Sequence, residues 1–274
     1  MALLNEFKKQ INLSRLKVKY LPKVLFLSVI SYTEVSVAIV NIENMRVQSN
    51  EKTEGVDKKL AFDISGKNGN TQKIKAGLGG RVQWYEKEAT RFIVVNYEYG
   101  ESADVKDTNK TFVHLRNIQY QSKSFAWESF VQITEDEFTR LDSRMLLGGG
   151  ARLNLLNLDD KSVDLGIGVF REREKLNIVP LTTDAGVVYN NRMNLYLVYK
   201  STLSSHSRLS STLYYQPDIN EISDYRLFEQ FALQLDITEN FSFNLSVDIA
   251  HDSQPAQLIK GTDTTYNTGF EYNF

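Results

Sequence analysis

The sequence predicts an all-β protein, an antiparallel transmembrane β-barrel of about twelve strands in an up-and-down meander. Three observations carry that expectation. Runs of roughly ten residues with apolar side chains at alternate positions recur from Gly55 to the C-terminus, separated by polar breaks. The last run puts Tyr266, Thr268, Phe270, Tyr272 and Phe274 on one face and Asn267, Gly269, Glu271 and Asn273 on the other. Only 42% of residues are hydrophobic and the mean hydropathy is −0.34. That excludes a helical membrane protein but suits a barrel, in which every second residue faces lipid.

In chain order, the first 38 residues stand apart. Lys8, Lys9, Arg15, Lys17, Lys19 and Lys23 precede a short apolar run at 24–30, and Ser36-Val37-Ala38 offers a small-x-small cleavage pattern. This predicts a cleaved secretory signal over 1–38, since the apolar run is too short to span a bilayer. Without it the chain keeps 26 Lys/Arg against 32 Asp/Glu, a net charge of −6. Such a balance leaves no electrostatic footprint for nucleic acid. The absence of cysteine excludes disulfides, CxxC redox chemistry and thiolate metal sites. Residues 39–54 are polar and unpatterned after a short apolar start and read as a periplasmic lead-in, with the barrel over 55–274.

The expected lipid-facing positions follow strand by strand. They begin with Leu60, Phe62 and Ile64, then Ile74, Ala76, Leu78, Val82 and Trp84, then Ile93, Val95, Tyr97 and Tyr99. The fourth strand, 111–120, is ambiguous, because Phe112, Ile118 and Tyr120 oppose Val113 and Leu115. Trp127, Val131 and Ile133 follow, then Leu147, Ala151, Leu153 and Leu155, and Val163, Leu165, Ile167 and Val169. Met193, Leu195, Leu197 and Tyr199, then Leu209, Leu213 and Tyr215, lead to Leu227, Phe231, Leu233 and Leu235. Phe241, Phe243, Leu245, Val247 and Ile249 precede the terminal strand. Short breaks at 86–90, 121–124, 156–161, 201–207 and 238–240 alternate with longer ones at 101–110, 135–143, 171–188, 217–224 and 251–263. Short turns on one side and long loops on the other are the habit of outer-membrane barrels, with both termini on the short-turn side. The first outer turn, Asn68-Gly69-Asn70, is a tight hairpin that departs from this rule.

Several stretches resemble a known family. They are Ser65-Gly66-Lys67-Asn68-Gly69-Asn70-Thr71, Asn96-Tyr97-Glu98-Tyr99-Gly100-Glu101-Ser102, Glu135-Asp136-Glu137-Phe138 and Gly148-Gly149-Gly150-Ala151-Arg152-Leu153. Together they look like the bacterial putative salt-induced outer-membrane proteins, across roughly residues 55–274. The resemblance implies an outer-membrane barrel linked to salt stress and brings no catalytic residues. The tail ending on Phe274, with Tyr266, Phe270 and Tyr272, likewise resembles the signal read by the barrel assembly machinery. Outer-membrane lipid and that machinery are therefore the expected partners.

The inward positions expected from this register are charged, with both signs in near balance: Lys59, Asp63, Lys73, Lys75, Arg81, Glu98, Glu128, Arg152, Asp164, Arg208, Arg226, Asp236, Asp248 and Glu271. Isolated buried ions cost several kcal/mol, so these must pair across a narrow lumen or line a watery path for a small polar solute. With about twelve strands and long side chains pointing inward, the plugged or narrow barrel is the favoured reading. Glycines at 77, 79, 80, 148 and 150 would make room for side chains from across the bore. The run Arg171-Glu172-Arg173-Glu174-Lys175 reads as a solvated loop, with a lipid-headgroup or divalent-cation contact as the alternative.

An outer-membrane lipid hydrolase or acyltransferase is the competing class, and it needs Ser, His and a polar group in reach of one another. Of His114, His206 and His251, only His251 has such neighbours, Asp252 and Ser253, and adjacent residues of an extended chain point apart. The Gly148–Gly150 triplet lacks the Lys-Ser/Thr of a phosphate loop. No catalytic residue, metal site or cofactor is expected. A soluble periplasmic barrel for a lipophilic ligand would need an apolar interior.

Overall fold

The computed structural model describes residues 54–67, 73–238 and 241–272. The expected signal over 1–38, the lead-in up to residue 53, the Asn68-Gly69-Asn70 turn and Phe274 lie outside the described residues. Twelve strands follow one another: β1 (Gly55–Lys67), β2 (Lys73–Tyr85), β3 (Ala89–Ser102), β4 (Val105–Tyr120), β5 (Phe125–Asp136), β6 (Leu141–Asn157), β7 (Lys161–Leu176), β8 (Val187–Ser204), β9 (Ser207–Pro217), β10 (Tyr225–Thr238), β11 (Phe241–Asp252) and β12 (Thr262–Tyr272). Each pairs antiparallel with the next, in sequence order from β1 to β12. This is the up-and-down barrel that the alternation foretells.

Curvature is visible in contacts between strands that are not neighbours. Strands three places apart in a flat sheet lie about 14 Å from each other. Yet Tyr196 Oη on β8 donates to Glu128 Oε2 on β5 over 2.7 Å. Arg226 on β10 likewise pairs with Glu172 on β7. The two faces are inverted relative to a soluble protein. In β5, Glu128, Phe130, Gln132 and Thr134 are buried while Trp127 and Val131 are exposed. Leu60 and Leu147 are 79% and 65% exposed. An apolar outer surface around an interior rich in charged and polar side chains suits an outside solvent that is hydrocarbon.

Four segments differ from the sequence-based expectation. In β4, Phe112, His114, Arg116 and Ile118 are buried and Leu115 faces out, which settles its orientation. The expected loop over 101–110 is mostly strand, because Ala103 and Asp104, at φ 50° and 60°, close a tight turn whose twist matches its strands. The 135–143 break shrinks to one 3₁₀ turn, Glu137–Thr139. Asp136 caps it, its Oδ1 accepting from Phe138 N at 3.1 Å and Thr139 N at 3.3 Å. The expected loop over 171–188 begins only after Leu176, since β7 continues through the charged run.

Candidate functional site in the barrel lumen

The long-loop end of the lumen is built on Glu172. Carried inward by the alternation of β7, it is fully buried. Arg192 Nε on β8 donates to its Oε1 at 3.4 Å, Arg144 Nε on β6 lies 3.6 Å from Oε2, and Arg226 Nη1 on β10 also donates to Oε2. Four elements thus converge on one carboxylate. The surplus positive charge is met by a second ring of acids. Glu174 Oε2 accepts from Arg144 Nε at 2.8 Å and from Arg226 Nη2 at 3.0 Å. Asp252 Oδ2 accepts from Arg226 Nε at 2.9 Å, and Asp224 holds Arg192 with both oxygens, at 2.9 and 2.8 Å. Three guanidiniums against four carboxylates come within one charge of neutrality, and the paired geometry offsets a desolvation cost of several kcal/mol per ion.

Nearer the middle, Glu128 is the second hub. It accepts from Tyr196 Oη and from Arg116 Nη1 at 3.3 Å, and lies 4.0 Å from Arg152 Nη1. Arg152 Nη2 pairs with Asp164 at 2.9 Å. Between the hubs the lumen is aromatic. His114 stacks with Phe92, Phe112 and Phe130, Phe130 meets Phe170 edge-on, and Tyr214 links Tyr196 to Phe228. The charged inward set expected from sequence is thus joined by an aromatic cluster it did not include. The glycines on the inner face make this packing feasible: a Cβ on Gly148 would come within 2.7 Å of Phe130 Cζ, and one on Gly166 would strike the Tyr196 ring laid against it.

Above the Glu172 hub, Arg140 clasps the loops. Its left-handed backbone, φ 61°, ends the 3₁₀ turn and aims the side chain across the mouth. Nη1 donates to Asp184 Oδ2 at 2.7 Å and Gln257 O at 2.6 Å, and Nη2 to Asn177 O at 3.1 Å and Thr182 Oγ1 at 3.2 Å. Gln257 also meets Thr183, Nε2 donating to Oγ1 at 2.7 Å. Loops 177–186 and 253–261, separated by four strands, are thereby joined. Burial opposes the Asp184 charge, but the Gln257 N–H and the Arg140 guanidinium outweigh it and hold its carboxyl below the usual 3.8.

The residues singled out from sequence fall as follows. Glu128 and Arg152 are buried at the second hub, and Asp248 is buried on β11. Lys75 pairs with Glu98 at 3.2 Å, Arg81 is half-buried on β2, and Arg208 pairs with Asp236 at 3.0 Å near the short-turn mouth. Tyr266 is exposed on β12. For Asp63, Lys73, Phe270, Glu271 and Tyr272 the backbone is placed in β1, β2 and β12 and the side chains lie outside the description. Sequence reasoning missed Glu172, Glu174, Arg144, Arg192 and Arg140. The period-two alternation of charge in Arg171-Glu172-Arg173-Glu174-Lys175 was the available signal for the first two.

His251 Nδ1 is 2.8 Å from Thr262 Oγ1, Asp252 turns inward to Arg226, and Ser253 Oγ donates to Ser223 O at 2.9 Å. The three neighbours diverge. Among the described residues no cluster of His, Asp and Glu is arranged to hold a metal ion.

Among solved structures the chain is similar to the NanC porin, with 10% identity and a TM-score of 0.47 over 78% of this chain and 100% of that one. It is similar also to the KdgM porin in complex with disordered oligogalacturonate, at 14% identity and a TM-score of 0.43 over 80% and 99%. The translocator domain of the autotransporter NalP from Neisseria meningitidis is a third, at 11% identity and 0.39 over 80% and 87%. No curated protein matches the chain. Residues 61–274 match the family model described as protein of unknown function, DUF481, and the chain accordingly belongs to that family.

Proposed function

We propose that this protein is an outer-membrane barrel whose lumen is closed, with a structural or stress-related role rather than steady solute passage. The observation that carries this reading is the burial of Glu172 among Arg144, Arg192 and Arg226. A conducting pore keeps such charges hydrated and mobile, whereas here each guanidinium is held by two or more carboxylates. The Arg140 clasp adds a second closure on the loop side. The link to salt stress rests on the resemblance of residues 55–274 to salt-induced outer-membrane proteins. Export by the N-terminal leader and assembly through the C-terminal aromatic strand complete the proposal.

Planar bilayers test it. The unmodified barrel should show low or no conductance, and Arg144→Ala with Arg226→Ala should raise it by leaving Glu172 and Glu174 underpaired and admitting water. Steady conductance by the unmodified protein, with an ion preference shifted by those changes, would establish instead a passive pore for small polar solutes.

A further inference from the structure

The alternation that turns Glu172 and Glu174 inward sends Arg171, Arg173 and Lys175 to the outer face of β7. On that face they continue directly from the apolar run Val163, Leu165, Ile167 and Val169, on the side of the long loops. Alternate strand residues stand roughly 7 Å apart, so the three cations form a short ladder at the edge of the lipid-facing band. Their cross-strand partners are Leu147, Met145 and Ser143 on β6 and Asn191, Tyr189 and Val187 on β8. None of these is acidic.

Lys175 is matched by Asp142, at 2.9 Å. Arg171 is positioned without being neutralised: Nη1 donates to Asn191 Oδ1 at 3.0 Å and the guanidinium lies 5.3 Å from the Tyr189 ring centroid. Arg173 pairs with no acid among the described residues. Two unneutralised guanidiniums, one propped on an interfacial tyrosine, thus sit above an apolar wall. That wall suits acyl chains, and guanidinium forks suit phosphate oxygens.

We propose that this face of β7 binds the phosphate groups of the anionic glycolipid of the outer leaflet, with its acyl chains along Val163 to Val169. The inference rests on the reading of the protein as an outer-membrane barrel with its long loops outward. An occupant with both phosphate and acyl chains is favoured over free phosphate because the cations and the apolar run are contiguous on one face.

The full chain, purified in detergent with a chelator present to remove bridging divalent ions, is titrated with a phosphorylated lipid A and followed by native mass spectrometry. Arg171→Ala with Arg173→Ala should weaken binding at least tenfold. Lys87→Ala with Lys123→Ala, which removes two exposed cations at the short-turn end, should leave it unchanged. Dephosphorylated lipid A should bind the unmodified protein as weakly as phosphorylated lipid A binds the double variant. Arg173→Gln provides the same comparison should the double variant not fold, and heat-modifiable gel mobility reports folding in each case. Equal binding by the arginine variants, or equal affinity for phosphatidylglycerol, overturns the proposal. Because the barrel reading is scored separately, by that mobility in the unmodified protein and by conductance, the two failures are distinguishable.

Discussion

Glu172 is a single carboxylate on which the interior depends. With no exposure and three cationic neighbours, it cannot be replaced by water without dismantling the hub. Glu172→Gln keeps the shape but takes away the carboxylate that Arg144, Arg192 and Arg226 share, leaving Arg192 to Asp224 and Arg226 to Glu174 and Asp252. Removing one member of a buried pair costs about 3–5 kcal/mol. Unfolding in urea from detergent or bilayers should register a loss of that order, against less than about 1 kcal/mol for Arg208→Gln, whose pair with Asp236 is half exposed. A loss as small for Glu172→Gln would mean that the hub is hydrated.

At the scale of elements, alternation made most strand faces legible: from β2 onward the apolar positions read as outward are exposed, such as Leu78, Val95, Val131 and Ile167, or half-buried, and none is buried among the described residues. It failed where both faces are polar or both apolar. In β4 the inner Phe112 and Ile118 compete with the outer Val113 and Leu115. The distal end of β7 has charges on both sides, so apolar periodicity vanishes although the strand persists. The loop ends were illegible for a different reason. Arg140 meets Asp184 and Gln257 across 44 and 117 residues, and no local pattern encodes such a meeting. The clasp carries a pH signature. Asp184 has a folded pKa below its ordinary 3.8, so the stability it lends is present above that value and is lost as pH falls through the lower, folded one. Spin labels at Ala185 and Leu258 should give one narrow distance distribution from pH 7 down to about 5, broadening only below 3.8. A broad distribution already at pH 7 would show that the loops are not joined.

For the whole molecule, the pairing of an apolar exterior with a charged interior points to a lipid environment more firmly than any single residue. The protein should fractionate with outer membranes and migrate faster unboiled than boiled, and deletion of Phe274 should reduce the fast-migrating form. Recovery of the native protein from a salt-washed soluble fraction would refute the transmembrane reading. The Glu172 hub also has a consequence for biogenesis. Its cations come from β6, β8 and β10, and Asp252, which completes the coordination of Arg226, comes from β11. A nascent sheet that stops at β9 therefore holds a carboxylate lacking its third counter-ion beside an open edge, and one that stops at β10 carries Arg226 without Asp252. The last of the hub's ion pairs, Arg226 with Asp252, forms only when the penultimate strand arrives. A half-inserted barrel is accordingly the least comfortable species in lipid, so insertion should proceed as one committed event, with few long-lived partial barrels for proteases to find.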